Sequence, residues 1–474
     1  MHGTPMKHFF FLLTLTALGS SAAIAAPFWG VLLYYGLATL RPQYLWHWAL
    51  SGTPDVRWSL TAAFVALVAT ALHLPTLIRN VKVNKVIILV GVYAALMLMS
   101  MLTAFNTRVA GYWAEEYGKV FLMMFLATLV IQRLWQVQAM GLMIVLCLGY
   151  IAYEVNYLYF MNGGRLDIYH KGYGGLDNNG AGMLLALGIP FAYWLFAAKG
   201  ETWITVRRAI AALIGVLLIH SVMMTYSRGA MLAAAAGLVW IVLHHRPRFQ
   251  AGAMAVAVLI GISVMAGPEI RERFQSTGNF RQDESAQLRF ESWSAAWDMA
   301  WASPLLGKGI RNSNYYSQNY GADRAGRTIH NQYLQVAADS GIPAAACYVG
   351  MLGVGYLGLS RARKACLDQT QEIEDGDYDP DPSVVARVHS AGTFCMALQT
   401  SLVMFALTGM FLSVELVELP WLLIAMSGLA PVAVQRYLDR IKDGVSHGED
   451  EDEDEDDAPP HQLAPPPTPS SRAA

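Results

Sequence analysis

Long apolar runs alternate with short polar stretches along almost the whole chain. A run of roughly 17–25 such residues crosses a ~30 Å hydrocarbon core as one α-helix. The runs fall at Phe9–Leu40 (broken at Pro27), Leu60–Ile78, Val86–Phe105, Gly118–Ile131, Ala139–Phe160, Ala181–Ala198, Ala209–Met224, Ala230–His244, Gln250–Ala266, Val336–Leu359, Ser390–Val414 and Leu419–Val434. They predict an all-α fold, a polytopic membrane helix bundle of about twelve transmembrane helices. Composition agrees: of 474 residues 55% are hydrophobic and 14% charged, with mean hydropathy +0.35. A soluble chain carries about 25% charged residues.

Lys and Arg then set the orientation, because short cytoplasmic loops retain them. Arg79, Lys82 and Lys85 share one loop, and Lys199, Arg207 and Arg208 another. Arg246 and Arg248, then Arg361, Arg363 and Lys364, and finally Arg436, Arg440 and Lys442 each follow a span. All five groups fall on one side, read as cytoplasmic, when every run crosses once and Phe9–Leu40 crosses a net odd number of times. A kink or re-entrant turn at Pro27 would provide that. The opposite, periplasmic side receives Thr107–Tyr117, Met161–Gly180, Ser227–Gly229, Gly267–Gln335 and Glu415–Glu418.

This divides the chain into N-terminal transmembrane helices (1–266), a periplasmic loop region with the chemistry-bearing segment (267–335), C-terminal transmembrane helices (336–435) and a cytoplasmic tail (436–474). The tail carries the acidic run Glu449–Asp457 and then proline, and reads as solvated disorder. It masks the basic character of the body in the net charge of −2. Lys7-His8, the apolar Phe9–Leu18 and Ala23-Ile24-Ala25 mimic a secretory signal, but Phe28–Leu40 is apolar again, and an uncleaved first segment is the preferred reading. The four cysteines, Cys147, Cys347, Cys366 and Cys395, form no CxxC pair, which argues against a disulfide framework or zinc site.

Within the large loop, Ala286–Trp301 repeats Leu288, Trp293, Ala296, Trp297 and Ala300 at helical spacing. Two readings stand level: a helix lying in the membrane interface, or a short helix packed on top of the bundle. Further on, Asn331–Asp339 reads as a short helix, with Gly341 as its stop and Pro343 beyond. His330 therefore stands at a helix N-terminus, where the dipole favours a neutral imidazole able to accept a proton. A capping or interfacial histidine is the plainer alternative. Arg228, in Thr225-Tyr226-Ser227-Arg228-Gly229-Ala230, lies at the edge of the apolar core, where a guanidinium costs several kcal/mol unless it is paired. A snorkelling anchor is its plain reading, yet it lies on the side with few such anchors. Arg289 sits on the amphipathic segment. Arg165 and Lys171 sit in a loop rich in Gly and Asn, and read as loop charges or ligand contacts. Glu415 stands at the outer end of a span.

There is no GxxxxGK[ST] loop, no strand-Gly-helix nucleotide unit and no feature of nucleic-acid recognition. Asp375–Asp381 looks calcium-like but lacks the downstream glutamate of a calcium loop.

The combination of Ser227–Ala230, Arg289–Trp293, Pro304–Gly309 and His330–Pro343, inside a many-spanning chain, resembles the O-antigen ligase and polymerase superfamily of bacterial envelopes. His330-Asn331 and Gly341 fit the ligase signature; Ala344 departs from it at its last place. Pro27-Phe28 and Leu40-Arg41-Pro42 also look like ligases of exosortase-associated systems, whose acceptor differs.

The resemblance implies a metal-independent, cofactor-free glycosyltransferase of the inner membrane, active on the periplasmic side. Its donor would be an undecaprenyl-pyrophosphate-linked glycan and its acceptor a hydroxyl of lipid A–core, with inversion at the anomeric carbon. His330 would be the base, Arg228 and Arg289 would hold pyrophosphate, and Asn331, Arg165, Lys171 and Glu415 would support them. An O-antigen polymerase and a protein O-oligosaccharyltransferase are the alternatives within the superfamily. A glycolipid transporter is the alternative outside it, and the few charges at the span centres weigh against that.

Overall fold

The computed structural model describes residues 6–164, 166–199, 203–245, 252, 256, 284–321, 328–374, 382–413 and 416–446. Its first helices are α1 (Met6–Ala25), α2 (Pro27–Leu40), α3 (Trp58–Leu72), α4 (Leu74–Asn80), α5 (Lys85–Met99), α6 (Thr107–Val130) and α7 (Leu134–Met161). There follow α8 (Asn178–Ala197), α9 (Ile204–Met224), α10 (Arg228–His244), α11 (Glu284–Ala302), α12 (Gln332–Ser340), α13 (Ile342–Glu374), α14 (Pro382–Thr408) and α15 (Glu418–Ser446). Short helical turns join several of them. The protein is a helical, multi-pass membrane bundle. Among the described residues eight helices are long and apolar enough to cross a membrane, or nine with α3 and α4 taken as one span bent by 79°. The expected span Gln250–Ala266 lies outside the described residues except for 252 and 256, and the expected count of twelve is not reached among those described.

The opening differs from expectation in kind. A Cβ on Gly30 would meet Ala23, and one on Gly19 would meet Leu33. Contacts between positions progressively further apart on either side of Ala26 mean that α2 runs back along α1. His8 accordingly packs on Trp46, with ring centroids 5.1 Å apart. Pro27 sits in the first turn of α2, where it costs no hydrogen bond but prevents α1 from continuing. Phe9–Leu40 is thus a hairpin, not the net odd crossing that orientation had required. Both of its ends lie on one face, and the assignment of the later loops is unaffected.

Polar contacts sort those loops into two sets. On the basic face, Arg436 donates to the Asn80 carbonyl at 2.6 Å and to the Gln132 carbonyl at 3.3 Å, and Tyr193 meets His245 at 2.6 Å. On the other face, Trp46 donates to Glu154 at 2.9 Å, the Asn106 amide donates to Asn312 at 2.7 Å, and Ser227 meets Asn179 at 2.8 Å. These sets match those read from Lys and Arg. One boundary moved: Thr107–Tyr117 is not loop but the first turns of α6, because Asn106 caps it by accepting from the Val109 amide at 3.1 Å.

Between the faces the helices are bound by apolar packing and a few buried polar links, as expected where lipid gives no hydrophobic drive. Asn156 of α7 donates to Ser221 of α9 at 2.8 Å and to the Leu217 carbonyl at 3.1 Å. Small residues allow close approach: a Cβ on Gly182 of α8 would come 2.7 Å from Thr225 Oγ1 and 2.8 Å from Ala230. That contact seats the start of α10 against α8.

Candidate functional site

Arg228 is the first residue of α10. Ser227 caps the helix, with its Oγ accepting from the Ala230 amide at 3.4 Å. Tyr226 before it is left-handed, at φ 53. The turn is fastened to the start of α8: Asn178 donates to the Thr225 carbonyl at 3.2 Å, and Ser227 Oγ reaches Asn179. Arg228 is half-buried. A half-buried guanidinium at the N-terminus of a seventeen-residue helix sits where the helix dipole favours anions.

His330 is also left-handed, at φ 52, and immediately precedes the cap of α12. Asn331 Oδ1 accepts from the Tyr333 and Leu334 amides at 3.0 and 3.1 Å, so its side chain is committed to capping. The expected helix is therefore present, with its stop at Gly341 (φ 90). His330 Nε2 lies 2.7 Å from Thr328 Oγ1. The start of α12 is tied to the end of α14, where the Gln332 amide donates to the Gly409 carbonyl at 2.7 Å and Tyr333 OH to the Ala406 carbonyl at 2.7 Å.

Arg289 is half-buried on α11, one turn before Trp293 and on the same side of the helix. Trp293 Nε1 donates to the Ile329 carbonyl at 3.0 Å. Its ring lies 6.4 Å from that of Phe411, and Phe411 in turn is the side chain a Cβ on Gly229 would meet at 3.1 Å. Gly229, Phe411, Trp293 and Ile329 form one chain of contacts, with Arg228, Arg289 and His330 each one turn or less from a member of it. Sequence reading did not find Phe411, which follows α14 in an ordinary apolar run. The aromatic rings hold together residues more than a hundred positions apart.

The buried side of α11 is Ala295, Ala296 and Met299, packed with Ile329 and Ala338. Of the expected stripe, Ala296 and Ala300 are buried and Trp293 partly so, while Trp297 points outward at 55% exposure.

The short helix α12 rests on a polar support. Gln335 donates to Asp339 at 2.7 Å and to Ser313 at 3.0 Å, and the Ser313 amide donates to Asp339 at 3.0 Å. Burial pushes the Asp339 carboxyl above the usual range, while nearby Arg311, Ser313 and Gln335 pull it down. Arg311 lies over Trp113 at 4.7 Å. The Pro304–Gly309 stretch straps the end of α12, with the Lys308 and Gly309 amides donating to the Ala338 and Asp339 carbonyls at 2.8 and 2.9 Å.

The supporting residues fare unevenly. Lys171 is exposed on the short helix Ile168–Lys171, near Asp167, and no described contact joins it to Arg228 or His330. Arg165 and Glu415 lie outside the described residues.

Compared with known families, residues 213–349 match the family described as O-antigen ligase. A search of curated proteins found no match. The matched segment contains Arg228, Arg289 and His330, and supports the O-antigen ligase superfamily expected from the sequence.

Proposed function

Taking the chain as a member of the O-antigen ligase superfamily, we propose that it is an inner-membrane glycosyltransferase that moves a glycan from undecaprenyl pyrophosphate to a hydroxyl of lipid A–core. The observation that carries this reading is the contact chain Gly229–Phe411–Trp293–Ile329, which gathers the three residues on one face of the bundle. That face is the periplasmic one in this reading, because the basic loops lie at the other end.

Arg228 and Arg289 hold the pyrophosphate. Guanidinium groups pair with phosphate oxygens in a fork, and with the amides at the start of α10 they stabilise the negative charge that grows as the lipid pyrophosphate departs. His330 accepts the proton of the attacking hydroxyl. The acceptor oxygen bonds to the anomeric carbon as the bond from that carbon to the pyrophosphate oxygen breaks. Attack from the opposite face inverts the centre. The proton passes to the imidazole and the electron pair leaves with the pyrophosphate.

The test is reconstitution of the purified chain with undecaprenyl-pyrophosphate glycan and separate acceptors: lipid A–core, a second lipid-linked glycan, and a secreted protein. Glycosylated lipid A–core, lost in His330→Ala, is the expected product. Chain extension on the second donor would identify a polymerase, and glycan on the protein a protein glycosyltransferase. Movement of intact glycolipid across the bilayer without transfer would identify a transporter.

A further inference from the structure

The outward side of α11 takes no part in the site above, and its residues are sorted. At about 100° per residue, Phe290, Trp297 and Trp301 project within an arc of about 40°, and all three are exposed. Gln287, Asp298 and Glu291 fill the next exposed arc, with Ser294 between the two groups. The buried Ala295, Ala296 and Met299 lie across the helix from the tryptophans. This helix therefore has a protein side, an apolar flank opposite it and a polar flank between. The rings of Trp297 and Trp301 stand 5.8 Å apart, edge to face, so the apolar flank is unbroken over that turn.

Two ties set the depth of this flank. Thr103 ends the apolar span Lys85–Thr103, and its Oγ1 donates to the Leu306 carbonyl at 3.5 Å. Ile342 begins the spanning helix α13, and its amide donates to the Pro304 carbonyl at 2.8 Å. The loop that leaves α11 is thus pinned to the ends of two membrane spans. Leu305 in that loop is 71% exposed, and Leu102 beside Thr103 is 81% exposed. Leu98 and Met99, further down the same span, are exposed as well. Exposed apolar side chains therefore run from the span through Leu102 and Leu305 to Trp301, four residues earlier in the chain.

We propose that this flank is a lipid-binding surface, with Trp297, Trp301 and Leu305 seated in the headgroup layer of the leaflet at this end of the bundle. Continuity with the side of a membrane span selects lipid over a protein partner. Indole rings favour that layer, and an apolar helix flank gains by leaving water. Glu291 and Asp298 remain in water, so apolar contact holds the helix and attraction to anionic lipid does not. The surface is independent of the transfer reaction.

The test places a nitroxide at single cysteines of the full chain in dioleoyl phosphatidylcholine nanodiscs, after Cys147, Cys347, Cys366 and Cys395 are changed to Ala. Collision with oxygen, which concentrates in lipid, is compared with collision with a water-soluble nickel chelate. Labels at Trp297→Cys, Trp301→Cys and Leu305→Cys should favour oxygen at least about threefold more than labels at Glu291→Cys and Asp298→Cys. They should resemble a label at Leu98→Cys within the span. A second measurement keeps the native cysteines. Dibrominated phosphatidylcholine should quench tryptophan fluorescence less in Trp297→Phe/Trp301→Phe than in wild type. Preference for the chelate at Trp301→Cys and Leu305→Cys would place the flank in water. Little collision with either agent would mean that protein covers it, from this chain or a second copy. Either result overturns the proposal, as does equal quenching of the double variant.

Discussion

Thr328 Oγ1 stands 2.7 Å from His330 Nε2, two residues away across a left-handed turn. A hydroxyl already rests against the nitrogen that faces it and helps to orient the ring. One hydrogen bond of this kind contributes about 1 kcal/mol. We expect Thr328→Val to lower turnover roughly five- to tenfold with little change in KM, and Thr328→Ser to restore it. Turnover unchanged in the valine variant would mean that the imidazole is held by other groups.

His330 lies at φ 52, where asparagine is among the residues best tolerated. His330→Asn keeps the backbone and a polar side chain but removes the base. Transfer is expected to fall about 10²–10⁴-fold, with the melting temperature in detergent close to wild type. Activity retained in a folded protein would remove His330 from the reaction.

Arg228 and Arg289 act on the same departing charge in the proposed mechanism. Arg228→Lys keeps the charge but loses the fork, and transfer should drop at least tenfold. The double variant Arg228→Gln/Arg289→Gln should lose less than the product of the two single losses, as happens when residues serve one function. Fully additive losses measured on the purified enzymes would indicate separate roles.

Asp339 is buried beneath α12, and burial raises its carboxyl above the ordinary range. A carboxyl whose folded pKa is raised contributes its stability fully below the unfolded value of about 3.9. That contribution is lost as pH rises through the folded pKa. Asp339→Asn abolishes the titration. The melting temperature of the variant relative to wild type should therefore improve steadily as pH rises from about 4 toward neutrality. A difference independent of pH would show that Asp339 titrates as it does in the unfolded chain.

Gly309 sits at φ 95, and a Cβ there would stand 2.5 Å from Ala104 Cα. Its backbone straps the end of α12 through the Asp339 carbonyl. Gly309→Ala combines a disfavoured backbone with overlap against main chain. Stability should fall by more than about 2 kcal/mol, read as a lower melting temperature and weak expression. A variant as stable as wild type would mean that the strap can shift freely.

What the sequence determined by itself was everything governed by near neighbours. The apolar runs declared the helices, and the lysines and arginines divided the loops into two faces, since both signals act over one helix length. The short helix after His330, its stop Gly341 and the positions of Arg228 and His330 at helix starts were legible for the same reason; that Asn331 is the cap was not. Tertiary structure decided what depends on partners far apart in the chain. Pro27 marks a break in either case, and only packing of Gly19 on Leu33 and Gly30 on Ala23 makes that break a hairpin. On α11 the expected stripe held at Ala296 and Ala300 and failed at Trp297, because a tryptophan can face lipid or core with equal ease, and contacts with Ile329 and Ala338 drew in Ala295 and Met299 beside Ala296. Phe411 and Trp293 carry no signature of function, and it is their packing between Gly229 and Ile329 that brings together the segments next to Arg228, Arg289 and His330.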